Sequence, residues 1–197
     1  MVETLERLRV PFTGATSLYY EPSRDELKRV CRAEGIATPA HVLERNDVDV
    51  ELSLEMLRFP MFVKHHSSYA SVGLSRASRV VSPAGLRRQV RKIVSRYGAA
   101  LVEEYIAGTE CTVLVAENPD DPQRPVTYLP MQYRFPDGES FKHSNLKWVD
   151  YDEMACMPVE DPELAVRLRD VSVRFFVGLG GASFGRCDIR VDAEGEP

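Results

Sequence analysis

Between Phe59 and Tyr105 the chain passes from an apolar run to an amphipathic helical pattern and back to an apolar run. This strand–helix–strand order limits the fold to an α/β type built from α+β subdomains. Phe59-Pro60-Met61-Phe62-Val63-Lys64 reads as a short strand that ends in a lysine. Ser82-Pro83 opens a helix with proline in its first turn, and Leu86, Val90, Ile93, Val94 and Tyr97 form its buried stripe. Residues 99–105 are the next strand. With 197 residues, 44% of them apolar, the chain can bury a real core, and disorder over most of its length is not expected.

The same reading places a helix after Ser23, with a capping box to Glu26, an inward face of Leu27, Val30 and Cys31, and a stop at Gly35. Strands are expected over 110–116, 126–133 and 184–191, and a hairpin turn over 193–196. Asp161 caps a third helix whose inward residues are Leu164, Leu168, Val171 and Phe175. Residues 135–158 are polar, aromatic and aperiodic, which points to a long functional loop.

A formal charge of −5 argues against a dedicated nucleic-acid binder, and the basic face Arg87, Arg88, Arg91, Lys92 and Arg96 reads as solvated helix surface. No apolar run reaches the roughly 20 residues that span a bilayer, and the N-terminus lacks a signal-peptide pattern. The four scattered cysteines, Cys31, Cys111, Cys156 and Cys187, read as buried thiols in a reducing cytoplasm. Gly178-Leu179-Gly180-Gly181-Ala182-Ser183 nearly fits a dinucleotide fingerprint, but it follows a helix and precedes a strand, so it is expected to be a helix stop. His65 and His66 are adjacent on a strand and should face opposite ways, and His41 and His143 read as structural.

Four features carry chemistry. Lys64 ends a strand and is followed by a loop of small and hydroxyl residues through Ser71-Val72-Gly73, which can hold a phosphate. Glu103, Glu104, Ile106 and Glu110 combine a strand-end acid, a connecting segment and a second acid, an arrangement able to read a nucleoside; a hairpin with surface acids is the plain alternative. Lys142 and Lys147 lie in the irregular loop and could close on a phosphoryl group. Arg186 and Asp188 share one face of the last strand and could neutralise phosphate and bind Mg2+; an ion pair on a sheet is the alternative there.

In order and spacing these features resemble the ATP-grasp ligases, specifically D-alanine–D-alanine ligase. Leu5-Glu6-Arg7-Leu8-Arg9-Val10-Pro11-Phe12-Thr13-Gly14 is similar to the family's L-E-x-L-x-I-P-Y-T-G. Gly35-Ile36-Ala37-Thr38-Pro39 resembles its G-I-P-x-P turn, and 59–64 its F-P-x-x-V-K. Glu103 to Glu110 resembles E-x-x-[IL]-x-G-x-E, and Gly185-Arg186-Cys187-Asp188 resembles G-R-x-D. The resemblance implies an ATP-grasp fold holding nucleotide in a cleft between two subdomains, with residues 1–20 a linker, 21–104 the small subdomain and 105–197 the large one. It implies ATP and Mg2+ as cofactors, small amino acids as substrates, a cytoplasmic location and a homodimer in the full-length form. By the same resemblance, Lys64 contacts the α- and β-phosphates and Ser71-Val72-Gly73 covers them. Glu103, Glu104 and Ile106 line the adenine pocket, Glu110 holds the ribose, and Arg24 stands where a nucleotide-contacting lysine is usual. Lys147, with Lys142 as the alternative, serves the γ-phosphate, Arg186 the transferring phosphoryl group, and Asp188 the Mg2+.

The chain departs from the family pattern at three places. The family's first α/β domain is missing before Met1 and its E-x-N metal motif after Pro197, and Ala70 and Trp148 replace a serine and a tyrosine. The expectation is therefore a truncated carboxylate–amine ligase with weak or no turnover on its own. The alternatives are a non-catalytic nucleotide-binding module and a ligase for a different acid and amine.

Overall fold

The computed structural model describes residues 1–20, 22–45, 50–181 and 183–197. Ala182 of the glycine-rich run lies outside the described residues, as does residue 21, where the small subdomain was expected to begin. The chain divides into two compact units, each assembled from separate stretches: residues 1–37, 107–134 and 155–197 form the first, and residues 38–106 and 135–154 the second. The contiguous division at 21, 104 and 105 does not match this interleaving.

In the first unit, helices α1 (Val2–Arg7) and α2 (Arg24–Ala33) precede strand β5 (Thr109–Ala116). Ser23 Oγ accepts from the Glu26 N–H at 3.1 Å, whereas the Glu26 carboxylate lies 3.7 Å from Arg29, so the cap forms without the reciprocal box. The single strand expected over 126–133 is two, β6 (Val126–Thr127) and β7 (Met131–Arg134). Pro130, which has no N–H to give a ladder, lies between them. Strand β8 (Ala155–Pro158), helix α6 (Pro162–Gly178) and strand β9 (Phe184–Val191) complete the unit. β5 pairs antiparallel with β6, β7 and β9, and β8 extends from β7. Cys111, Val113 and Val115 on one face of β5 pack against Leu168 and Phe176 of α6. The buried line of α6 is Leu168, Ser172 and Phe176; Val171 and Phe175, expected inward, are only half-buried. Ser172 can be buried because its hydroxyl donates to the Leu168 carbonyl at 2.7 Å.

In the second unit, β1 (His41–Glu44), α3 (Glu51–Met56), β2 (Met61–His65), β3 (Arg79–Val80), α4 (Pro83–Tyr97) and β4 (Ala100–Glu104) form an antiparallel sheet in the order β1-β4-β2-β3. Ser82 caps α4 and Gly98 ends it in the left-handed conformation. Alternation along the strands sends Val42, Met61, Val63, Ala100 and Val102 to a core shared with Leu86, Val90 and Ile93 of α4. The stretch 135–154, expected to be irregular, contains helix α5 (Ser144–Trp148) and a short turn of 3-10 helix at Tyr151–Glu153. All four cysteines are free, and Cys156 is exposed rather than buried. Burial pushes the Cys111 and Cys187 thiols up to about 11, so both stay protonated. Among the described residues, no helix is long and apolar enough to cross a membrane.

Gly108 has φ +141°, and a Cβ there would lie 2.0 Å from the Val191 carbonyl oxygen. Gly108→Ala is expected to destabilise the protein by roughly 2 kcal/mol or more, through the unfavourable φ and the backbone clash. Urea unfolding checks this; an unchanged midpoint would contradict it.

Candidate functional site

Lys64 and Phe62 fall on the face of the second unit's sheet turned away from α4, because Met61 and Val63 take the core side. Across the ladder, Phe62 pairs with Glu103 and Lys64 with Leu101, so Lys64 and Glu103 are diagonal neighbours. Their side chains form a short ion pair, Nζ to Oε1, and are only 16% and 10% exposed. Phe141 covers this face, its ring edge-on to Phe62 at 4.8 Å, and Tyr105 donates its hydroxyl proton to the Ser140 carbonyl at 2.9 Å. Glu104 points the other way, and its carboxylate accepts from the Arg58 N–H at 2.9 Å. Glu104 N–H and Tyr105 N–H donate to the carbonyls of Ala40 and Pro60, which fixes the backbone leading to Ile106.

The loop after β2 holds Ala70 and Ser71 at φ +55° and +60°, a region that residues with a Cβ seldom adopt, and Gly73 at +75°. Three bonds from the 135–154 stretch hold it there. Ser71 Oγ donates to the Lys142 carbonyl at 3.1 Å, Trp148 Nε1 to the Ala70 carbonyl at 3.3 Å, and Ser144 N–H to the Leu74 carbonyl at 3.3 Å. Lys142 and Lys147 are therefore brought beside the Ser71-Val72-Gly73 loop. Lys147 Nζ lies 5.5 Å from the centroid of the Trp148 ring.

A clasp that the sequence reading missed, with Glu139 and His143 covered and Arg76 exposed, orders this stretch. Arg76 Nε donates to Glu139 at 2.6 Å, and His143 Nε2 lies 3.1 Å from the other Glu139 oxygen. His143 Nδ1 accepts from the Leu146 N–H at 3.3 Å and so caps α5. With Nδ1 accepting, the ring proton belongs on Nε2, facing Glu139. Burial pushes the Glu139 carboxyl up, but Arg76 and His143 together outweigh it and hold it below its ordinary 4.5. His65 and His66 do not oppose each other: the strand ends at His65, and the two rings stack at 5.0 Å.

In the first unit, Glu110 and Thr112 lie on the face of β5 opposite the α6 core. Register places Asp188 beside Thr112, Arg190 beside Glu110 and Arg186 beside Leu114, all on that face. Thr112 Oγ1 donates to Asp188 at 2.9 Å, and Arg186 Nε lies 3.3 Å from the same carboxylate. Glu110, 11% exposed, is paired with Arg190 at 3.5 Å, and Arg190 also donates to the Gly108 carbonyl at 3.1 Å. Arg190 was not anticipated; its place two residues after Asp188 on the same strand face was the available signal. Arg24 is half-buried at the first position of α2. Asp188 brings one carboxylate, and among the described residues no group of three His, Cys, Asp or Glu could hold a metal. A lone carboxylate of this kind could serve only a Mg2+ that takes its other ligands from phosphate and water.

Comparison with known proteins converges on one family. The family model described as D-ala D-ala ligase C-terminus matches residues 31–197. An uncharacterised Sinorhizobium fredii protein, y4sG, is 34% identical over 98% of this chain and 56% of its own length. The D-alanine–D-alanine ligase of Cupriavidus necator is 26% identical over 98% of this chain and 58% of its own. The crystal structure of the Bacillus anthracis D-alanine–D-alanine ligase complexed with ATP superposes with a TM-score of 0.76 at 21% identity, covering 98% of this chain and 58% of that one. The VanG D-Ala:D-Ser ligase of Enterococcus faecalis gives 0.78 at 17% identity, covering 98% and 56%. The chain thus spans little more than half the length of these relatives, and the fold it shares with the solved structures is that of the ATP-grasp ligases.

Removing one partner of the Lys64–Glu103 pair leaves a buried charge unmatched. Lys64→Met and Glu103→Leu should each lose about 3 kcal/mol, and Lys64→Met/Glu103→Leu less than their sum, as measured by denaturant unfolding. A double variant as unstable as the sum of the singles would contradict the pairing. The lowered Glu139 value means its ionised form stabilises the fold above about pH 4.5 and ceases to as pH falls through the lowered value. The stability gap between wild type and Glu139→Gln should therefore hold from neutral pH to about pH 5 and narrow below it.

Proposed function

The chain belongs to the family described as D-ala D-ala ligase C-terminus, and from that premise we propose that it handles nucleotide and phosphoryl transfer in an ATP- and Mg2+-dependent carboxylate–amine ligase. The supporting observation is that the charges named by the motifs stand on ordered strands. Lys64 lies one residue before the end of β2, which leads into the tied Ser71-Val72-Gly73 loop, and Glu110, Arg186 and Asp188 share one sheet face.

In this reading Lys64 binds the α- and β-phosphates, and the N–H groups and hydroxyl of Ser71, Val72 and Gly73 cover them. The backbone from Glu103 to Ile106 reads the adenine edge, Glu110 accepts from the ribose hydroxyls, and Arg24 adds positive charge. Lys147, with Lys142 beside the same loop, balances charge at the γ-phosphate, and Arg186 does so on the transferring phosphoryl group. A substrate carboxylate attacks the γ-phosphorus and ADP leaves. An amine then attacks the acyl phosphate carbon, and inorganic phosphate leaves. Mg2+ held by Asp188 and the phosphates would supply charge neutralisation between like-charged reactants. The protein's own contribution is positioning and electrostatics.

One observation favours a ligase whose amino acids are not both D-alanine. Ala70 and Trp148, which replace two hydroxyl residues of the family pattern, bond to each other through the indole N–H and the Ala70 carbonyl. That contact fills with an apolar ring a place where hydroxyl donors would otherwise be available.

Calorimetry with ATP and Mg2+ tests nucleotide handling. Binding is expected, weakened at least roughly tenfold in Lys64→Ala through loss of a charge-assisted contact. No saturable binding would overturn the reading. Phosphate release across a panel of D- and L-amino acids then separates the substrate classes, and binding without any release would favour the non-catalytic module.

A further inference from the structure

Within the second unit a groove of about 410 Å3 opens between the end of the 70–75 loop and the last turns of α4. Gly73 and Ser75 form one wall, and Lys92, Arg96 and Tyr97 the other, with Ser144 at the rim. The loop backbone packs directly on the Tyr97 ring: a Cβ on Gly73 would come within 3.2 Å of it. Val72 of the loop and Ile93 of α4 also line the groove.

Lys92 and Arg96 are one helical turn apart and so project from the same side of α4. Like charges at that spacing repel, and among the described residues neither is joined to a carboxylate. Arg87, earlier on the same helix, is by contrast paired with Glu51 at 2.8 Å. The guanidinium of Arg96 lies 5.3 Å from the Tyr97 ring centroid, which holds it over the groove wall. Two uncompensated cations, three hydroxyl-bearing residues and apolar side chains in the lining fit a small molecule with an oxyanion at one end.

We propose that this groove is a binding site for a small phosphate monoester, with Lys92 and Arg96 on the oxyanion and Val72 against the organic body. The site shares the loop with the proposed triphosphate contacts but includes neither Lys64 nor Glu103. It does not depend on the ligase reading. An occupant would bridge the loop to α4 and restrain the left-handed segment at Ala70 and Ser71, which makes it a place where a phosphorylated effector can act.

Phenyl phosphate is the probe, titrated into the intact chain and followed by calorimetry and amide NMR. Saturable binding is expected, weakened at least roughly tenfold in Lys92→Ala/Arg96→Ala, retained within about twofold in Lys64→Ala, and absent for phenol. Lys92 and Arg96 are exposed, so their double variant should keep the wild-type unfolding midpoint. Amide shifts on binding should appear in residues 92–97. Absence of saturable binding, full retention in the double variant, loss in a folded Lys64→Ala, or shifts confined to 61–65 and 101–106 would each overturn the proposal.

Discussion

A lysine at the end of a buried strand needs a counter-charge, and the second unit is organised around supplying one. Lys64 meets Glu103 diagonally across the β2–β4 ladder, with both side chains nearly covered. This pairing is possible only because the register puts Met61, Val63, Ala100 and Val102 on the α4 side and leaves Phe62, Lys64, Leu101 and Glu103 on the other. A slip of one residue would send the pair into the apolar core and expose the core residues. The sheet consequently has two working faces, one for stability and one that carries charge under an aromatic cover.

That cover is held by charges as well. Glu139, between Arg76 and His143, fixes the stretch that carries Phe141, Lys142 and Lys147. The same stretch ties down the left-handed turn at Ala70 and Ser71. In the first unit the pattern recurs on the open face of β5 and β9, where Asp188 is shared by Thr112 and Arg186 and Glu110 is held by Arg190. Lys64, Glu110, Arg186 and Asp188, proposed to meet the nucleotide or its metal, thus each already have a protein partner of suitable charge or hydrogen-bonding character. A ligand that enters exchanges partners rather than meeting bare charges, which lowers the desolvation penalty of holding such groups ready.

Elements whose information is local were legible in the sequence. Ser23, Ser82 and Asp161 mark helix starts by side-chain caps, and the strand ending at Lys64 declares itself by its apolar run. What failed depended on distant partners. The α6 stripe holds at Leu164 and Leu168 but shifts by one residue to Ser172 and Phe176 farther on, where buried Ser172 bonds to its own helix, which a hydrophobicity pattern cannot register. The 135–154 stretch looked irregular because its order comes from Arg76, far away in sequence, and not from periodicity. The interleaved units escaped notice for the same reason: α2 groups with α6, more than a hundred residues later, through contacts such as Arg174 Nη1 donating to the Glu34 carbonyl at 2.7 Å. The motif residues could be named from their resemblance to the family's motifs, but their pairing partners, Arg190 above all, emerge only from register.

We propose that Lys64 and Glu103 in the second unit, and Glu110, Arg186 and Asp188 in the first, are nucleotide-handling residues of this chain. Amide hydrogen exchange with and without ATP and Mg2+ tests it most directly. The account predicts slowed exchange in residues 61–73, 101–112 and 184–190, with little change along the outer face of α6. Exchange that is unchanged in those segments at saturating nucleotide, or slowed only elsewhere, would contradict it.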